Sequence, residues 1–123
     1  MKRLVPVFLI LVLFCCASVA SAAESVPTHI HLVVVPETLD DGSSSEDAVV
    51  QFEKEVIRLA GGFTELGASR GGDIVDGDVE YQDNISFLIG ADRDISRELH
   101  KLTIKLFGGS GAFIMAWPGT MIY

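Results

Sequence analysis

The run His29-Ile30-His31-Leu32-Val33-Val34-Val35, closed by Pro36, decides the fold, because the segments after it repeat one plan twice. Seven residues rich in β-branched side chains and stopped by a proline read as a strand, and their apolar continuity places it inside a sheet. Thr38 to Ser45 is a polar loop with turn chemistry. Ser43 with Glu46, or Ser44 with Asp47, then offers a capping-box start to a helix. Val49, Phe52, Val56 and Leu59 recur at helical spacing and mark its buried stripe, and Gly61-Gly62 ends it.

The plan recurs further on. Phe63 to Ser69 is a weaker strand, and Val75-Asp76-Gly77-Asp78-Val79 carries Asp-Gly between β-formers, a hairpin-turn signal. Asp83-Asn84 reads as another turn, leading into the apolar strand Ile85-Ser86-Phe87-Leu88-Ile89. Ile95, Leu99, Leu102 and Leu106 lie at i, i+4, i+7 and i+11 and predict a second helix, which Gly108-Gly109 ends. Ala112 to Trp117 is the last strand, broken at Pro118-Gly119, with Thr120 to Tyr123 as a tail.

Two strand–helix–strand units in about 100 residues make an α+β domain of the ferredoxin-like βαββαβ type. Both helices lie on one face of an antiparallel sheet of order 4-1-3-2, with an extra hairpin near residues 72–81. Strand alternation then sets Ile30, Leu32 and Val34 against His31, Val33 and Val35, and Ala112, Ile114 and Ala116 against Phe113, Met115 and Trp117. Neither face is polar, so the side without helices needs a cover. A homodimer packed sheet to sheet is the simple expectation, and another protein partner the second. Val33 is the position to test for that contact if it faces the partner.

The amino terminus places the protein. Lys2 and Arg3 precede an apolar run from Leu4 to Ala17, and Ala20-Ser21-Ala22 has the spacing signal peptidase accepts. Fourteen residues are too few to cross a bilayer core of about 30 Å as a helix. Phe14 before Cys15, and Cys15 before Cys16, do not fit a lipoprotein signal. Residues 1–22 are therefore expected to be a secretory signal peptide and 23–123 a single domain, secreted or periplasmic. Cleavage removes both cysteines with Lys2 and Arg3 but no acid, taking the net charge from −8 to −10. The exported chain then has no disulfide or thiol chemistry, and its acidity argues against nucleic acid or an anionic membrane as partner.

The stretch Gly61-Gly62-Phe63-Thr64-Glu65-Leu66-Gly67, followed by Gly71-Gly72 and Asp76-Gly77, resembles small exported bacterial proteins of unknown function with a ferredoxin-like core. It departs from them at Asp73, where an aromatic is expected. The resemblance implies the fold and the compartment, but no activity and no site. The βαββαβ layout is also similar in architecture to subtilisin propeptides and related inhibitors, whose C-terminal segment enters the protease. That likeness implies a role for Pro118 to Tyr123.

Chemistry is sparse. His29-x-His31 puts two imidazoles on one strand face, where a third ligand would complete a metal site. His100 and the hairpin acids are the available thirds, although the pair could equally begin a sheet edge or line a contact. Asp73, Asp76, Asp78, Glu80 and Asp83 match no calcium loop and read as a solvated hairpin, or as a contact for a basic partner. Gly108-Gly109-Ser110-Gly111-Ala112 misses the G-x-S-x-G elbow at its last position and follows a helix instead of a strand. Ser96, His100, Thr103 and Phe107 form a second stripe on the last helix, read as a flank of the core. No catalytic residue and no cofactor motif emerges. The expectation is a non-enzymatic binding or interaction domain. The alternatives are an inhibitor or propeptide-like module using the tail, and a metal-binding or enzymatic α/β-barrel dimer using His29 and His31.

Overall fold

The structure, a computed structural model, describes residues 23–109 and 111–123. The signal peptide expected over 1–22, and Ser110, lie outside the described residues. Six elements follow in chain order: β1 (Ser25–Pro36), α1 (Glu46–Ala60), β2 (Thr64–Val75), β3 (Asp78–Ala91), α2 (Ser96–Phe107) and β4 (Phe113–Ile122). They form one antiparallel sheet of order β2-β3-β1-β4, the order expected, with β1 and β3 in the centre. This is the ferredoxin-like α+β arrangement.

The helices cover the face that carries Val33, Val35, Phe87 and Ile89. All four are fully buried, and with Phe52, Val56, Ile95 and Leu99 they make the core. Phe52 of α1 packs on Phe87 of β3 and edge-on to Phe107 of α2, so one ring joins three elements. Gly61 takes the left-handed conformation that closes α1, at φ 84°, and its N–H donates to the Ile57 carbonyl.

Several expectations shift. Val33 does not face a partner: it lies on the helix side at the centre of the core. On α1 the buried stripe is Val49, Phe52 and Val56, while Leu59 is exposed at the helix end. On α2 the stripe turns away from Leu102 and Leu106, which are half-buried, toward Thr103 and Phe107, which are buried. The second stripe is thus partly core, as expected, with His100 outside it. No capping box forms at α1. Ser45 is the N-cap residue, and its buried hydroxyl donates to the Pro36 carbonyl (2.6 Å), tying the helix start to the end of β1.

The extra hairpin near 72–81 is the outer end of β2 and β3. These strands pair without interruption of β3 from Leu88 to Asp78, through the positions where Asp83-Asn84 suggested a turn. Asp76-Gly77 makes the tip, with both residues at positive φ. The tail differs too: β4 runs through Pro118-Gly119 to Ile122, pairing Pro118 with His29 and Ile122 with Ser25. An edge strand accepts a proline whose nitrogen faces away from the ladder. Gly119 supplies room, since a Cβ there would run into the Ile30 side chain. Residues 25–28 are drawn into β1 by this pairing.

Candidate interaction face

On the face without helices, β1 contributes Ile30, Leu32 and Val34, which alternate with its buried core residues. Register places Leu32 between Leu88 and Met115, Ile30 between Gly90 and Trp117, and Val34 between Ser86 and Phe113. The centre of this surface is half-buried by its neighbours. Its β4 edge is open, with Phe113 60 %, Met115 46 % and Trp117 40 % exposed. No helix, loop or tail of the described residues lies over it. Contiguous exposed apolar strips of this kind mark protein or membrane contacts, ligand grooves or aggregation-prone surfaces.

The same sheet changes character beyond the body. From about Gly71 outward, past the last pairing of β3 with β1 (Asn84 with Pro36), β2 and β3 continue as a two-stranded arm. Here the apolar residues sit on the opposite side. Ile74 pairs with Val79, and Tyr81 with Gly72, all on the helix side but past the helices; Ile74 is 70 % and Tyr81 65 % exposed. The Arg70 guanidinium lies 3.9 Å from the centre of the Tyr81 ring, a cation–π contact that orients it. Asp73, Asp78 and Glu80 occupy the other side of the arm, in solvent.

Where arm and body meet, a groove of about 800 Å³ opens between Tyr81, Asn84, Ser86, Phe113 and the glycines 108, 109 and 111. Its polar floor is self-satisfied. The Ser69 and Ser86 hydroxyls bond at 2.6 Å, and Asn84 Nδ2 donates to the Gln82 carbonyl.

His29 and His31 share a strand face, as expected, but it is the helix face. His31 is 0 % exposed and both its nitrogens are engaged. Nδ1 lies 3.3 Å from the Ile89 carbonyl, while Nε2 accepts the Ile95 N–H at 3.1 Å and lies 3.3 Å from Asp94 Oδ1. With the Ile95 N–H directed at Nε2, Nδ1 is the nitrogen placed to donate, toward the Ile89 carbonyl. His29 is half-buried opposite Ala91 and Pro118, and His100 lies away on α2. Among the described residues no group of three or more His, Cys, Asp or Glu side chains is placed to hold a metal ion. Among the described residues Asp94 is the strongly shifted group: the Ser96 hydroxyl and N–H, and then His31, hold its carboxyl at a pKa of about 2. Its Oδ1 accepts the Ser96 N–H at 2.9 Å, a local turn that leads into α2 just ahead of the N-cap residue Ile95.

The hairpin near residues 72–81 was expected; its amphipathic character, as an arm continuing β2 and β3, was not. The signal was present in Ile74, Val79 and Tyr81 alternating with Asp73, Asp78 and Glu80, an amphipathic pair of strands hidden by the acids. No helix among the described residues is long and apolar enough to cross a membrane.

No protein-family model matches the chain, and no curated protein matches its sequence. Solved structures share its fold. CutA1 from Oryza sativa superposes with a TM-score of 0.59 at 16 % identity, over 76 % of this chain and 81 % of that one. CutA from Xylella fastidiosa gives 0.55 at 15 %, over 73 % and 81 %. The divalent cation tolerance protein CutA1 from Thermus thermophilus gives 0.52 at 18 %, over 73 % and 82 %. The shared feature is the ferredoxin-like fold.

Proposed function

We propose that the mature chain, beginning near Ala23 and secreted or periplasmic, is a non-enzymatic binding domain that works as a homo-oligomer. The observation that carries this reading is the uncovered apolar sheet face built on Leu32, Met115 and Trp117. A second copy of the chain is the occupant favoured, because the molecule carries two uncovered apolar surfaces of different shape. An isologous dimer, face to face, covers the sheet but leaves Ile74, Val79 and Tyr81 of the arm in water. A heterologous contact, arm of one copy over the sheet of the next, covers both, and contacts of that type give a ring when the rotation between copies closes. The Thermus neighbour is named for divalent cation tolerance, which agrees with a binding role over a catalytic one. The inhibitor reading is not favoured, since Pro118 to Ile122 are spent in pairing with β1.

Light scattering on the mature chain tests this. The expected mass is a multiple of about 11 kDa, the 101-residue chain at roughly 110 Da per residue. Trp117→Glu should return it to a folded monomer. A wild-type monomer at every concentration overturns the reading.

A further inference from the structure

We infer that His31 is an acid-sensitive latch on the start of α2, which takes a second bonding pattern once its ring is protonated. The neutral ring joins three elements: β1, which carries it; β3, through the Ile89 carbonyl; and the turn into α2, through the Ile95 N–H. Ile95 is the N-cap residue of α2, and its side chain is buried in the core. Its amide therefore depends on the His31 Nε2 lone pair for a partner.

Protonation removes that lone pair. An Nε2–H and the Ile95 N–H, 3.1 Å apart, cannot both point at each other, and an unpartnered buried amide is unfavourable. The new proton has an acceptor at hand. Asp94 Oδ1 is 3.3 Å from Nε2, on a carboxylate that is more than half exposed and stays ionised far below neutrality. Acid thus exchanges the Ile95 N–H···Nε2 bond for an Nε2–H···Oδ1 ion pair, which frees the Ile95 amide and loosens the first turn of α2. Asp94 remains on Ser96 meanwhile, so the two helix-start bonds respond differently to pH.

The surroundings supply no competing charge at contact. The register neighbours of His31 are Ile89 and Ala116. The inward side chains of α1 are Val49, Phe52 and Val56, and those of α2 are Leu99, Thr103 and Phe107. His29 lies two residues along the same strand face. Beyond Asp94, Arg93 donates to the Asp94 carbonyl and pairs with Glu98 at 2.8 Å, which holds the turn's outer side independently of His31.

Nuclear magnetic resonance on the intact mature protein tests the latch. At pH 7.5 the His31 ring ¹⁵N shifts should show a proton on Nδ1 and a bare Nε2. Lowering the pH toward 5 should reduce the Ile95 amide protection factor at least tenfold, with the same midpoint as the His31 ring. The Val49 amide, bonded to the Ser45 carbonyl at the start of α1, should stay constant. His31→Gln, whose amide oxygen accepts but does not titrate, should keep Ile95 protected at both pH values. A proton on Nε2 at pH 7.5 overturns the proposal. So does Ile95 protection that is constant while the ring titrates, or a ring that stays neutral until the protein unfolds. Should His31→Gln not fold, the wild-type measurements alone decide.

Discussion

The Phe52 ring of α1 lies 5.2 Å from the Phe87 ring of β3, tilted by 57°, and Phe63 meets the same Phe87 edge-on at 5.6 Å. Three aromatics from α1, the α1–β2 connection and β3 therefore share one contact beneath the helices. Aromatic pairs in this geometry contribute beyond the area they bury. Phe52→Ala also leaves a cavity that rigid strands cannot close. Urea unfolding should show a loss of about 3–5 kcal/mol, and a cost below about 1 kcal/mol would mean that Phe52 is not central to the core.

Val33→Glu and Met115→Glu should behave in opposite ways, although both change an apolar strand residue to an acid. Val33 lies in the core with no partner for a charge, so Val33→Glu should abolish folding, as judged by near-ultraviolet circular dichroism. Met115 is nearly half exposed on the other face, so Met115→Glu should leave the monomer folded and lower its mass in light scattering. Two unfolded variants would contradict the assignment of faces.

How far the sequence led is visible in these two residues. Alternation correctly separated Ile30, Leu32 and Val34 from His31, Val33 and Val35, and the strand order followed from the two most apolar runs. Which set would meet the helices was not legible, because both sets are apolar and periodicity carries no sign. The histidine pair was placed on one face from spacing alone. Its burial, however, depends on the β3–α2 turn bringing Asp94 and Ile95 over the ring, a contact more than sixty residues distant in sequence. The continuity of the hairpin with β3 was obscured because Asp83-Asn84 has turn composition inside a continuous strand, where pairing with Arg70 and Ser69 overrides local preference.

Asp94 gives a pH dependence with a definite sign. Its folded pKa is depressed from 3.8 to about 2, first by the Ser96 hydroxyl, then by the Ser96 N–H, with smaller help from His31. A depressed carboxylate stabilises the fold above its unfolded pKa, and that contribution is lost as the pH falls through the folded value. Asp94→Ala should therefore lower the thermal midpoint at pH 6. The gap between variant and wild type should close between pH about 4 and about 2. A gap independent of pH would show that the side chain acts by packing alone.

Zinc should find no tight site at His29 and His31. A metal at His31 Nε2 would have to displace the Ile95 N–H from a fully buried ring, and His29 alone binds weakly. Calorimetric titration of residues 23–123 is expected to show no stoichiometric sub-micromolar binding, with the same result for the His29→Ala, His31→Ala double variant provided it folds. Tight binding lost in that variant would reverse this conclusion.

The end of β4 provides the last test. Pro118 to Ile122 pair with Ser25 to His29, and the Tyr123 N–H donates to the Glu24 carbonyl at 3.1 Å. Gly119 admits Ile30 against the strand, and Met121 reaches Gly90, where a Cβ would stand 3.0 Å from its Cε. Removing residues 118–123 therefore strips the outer partner from the first half of β1 and uncovers Ile30 and Gly90 together. The other half of β1 keeps both its neighbours, so loosening should begin locally. The amides of Val26, Thr28 and His29 should lose hydrogen-exchange protection first, while those of Leu32 to Val35 stay protected, and the thermal midpoint should fall by several degrees. An inhibitory tail makes the opposite forecast: unchanged stability, with a subtilisin-like protease inhibited only by the intact chain. Paired as the strand is, truncation should cost stability and affect no protease.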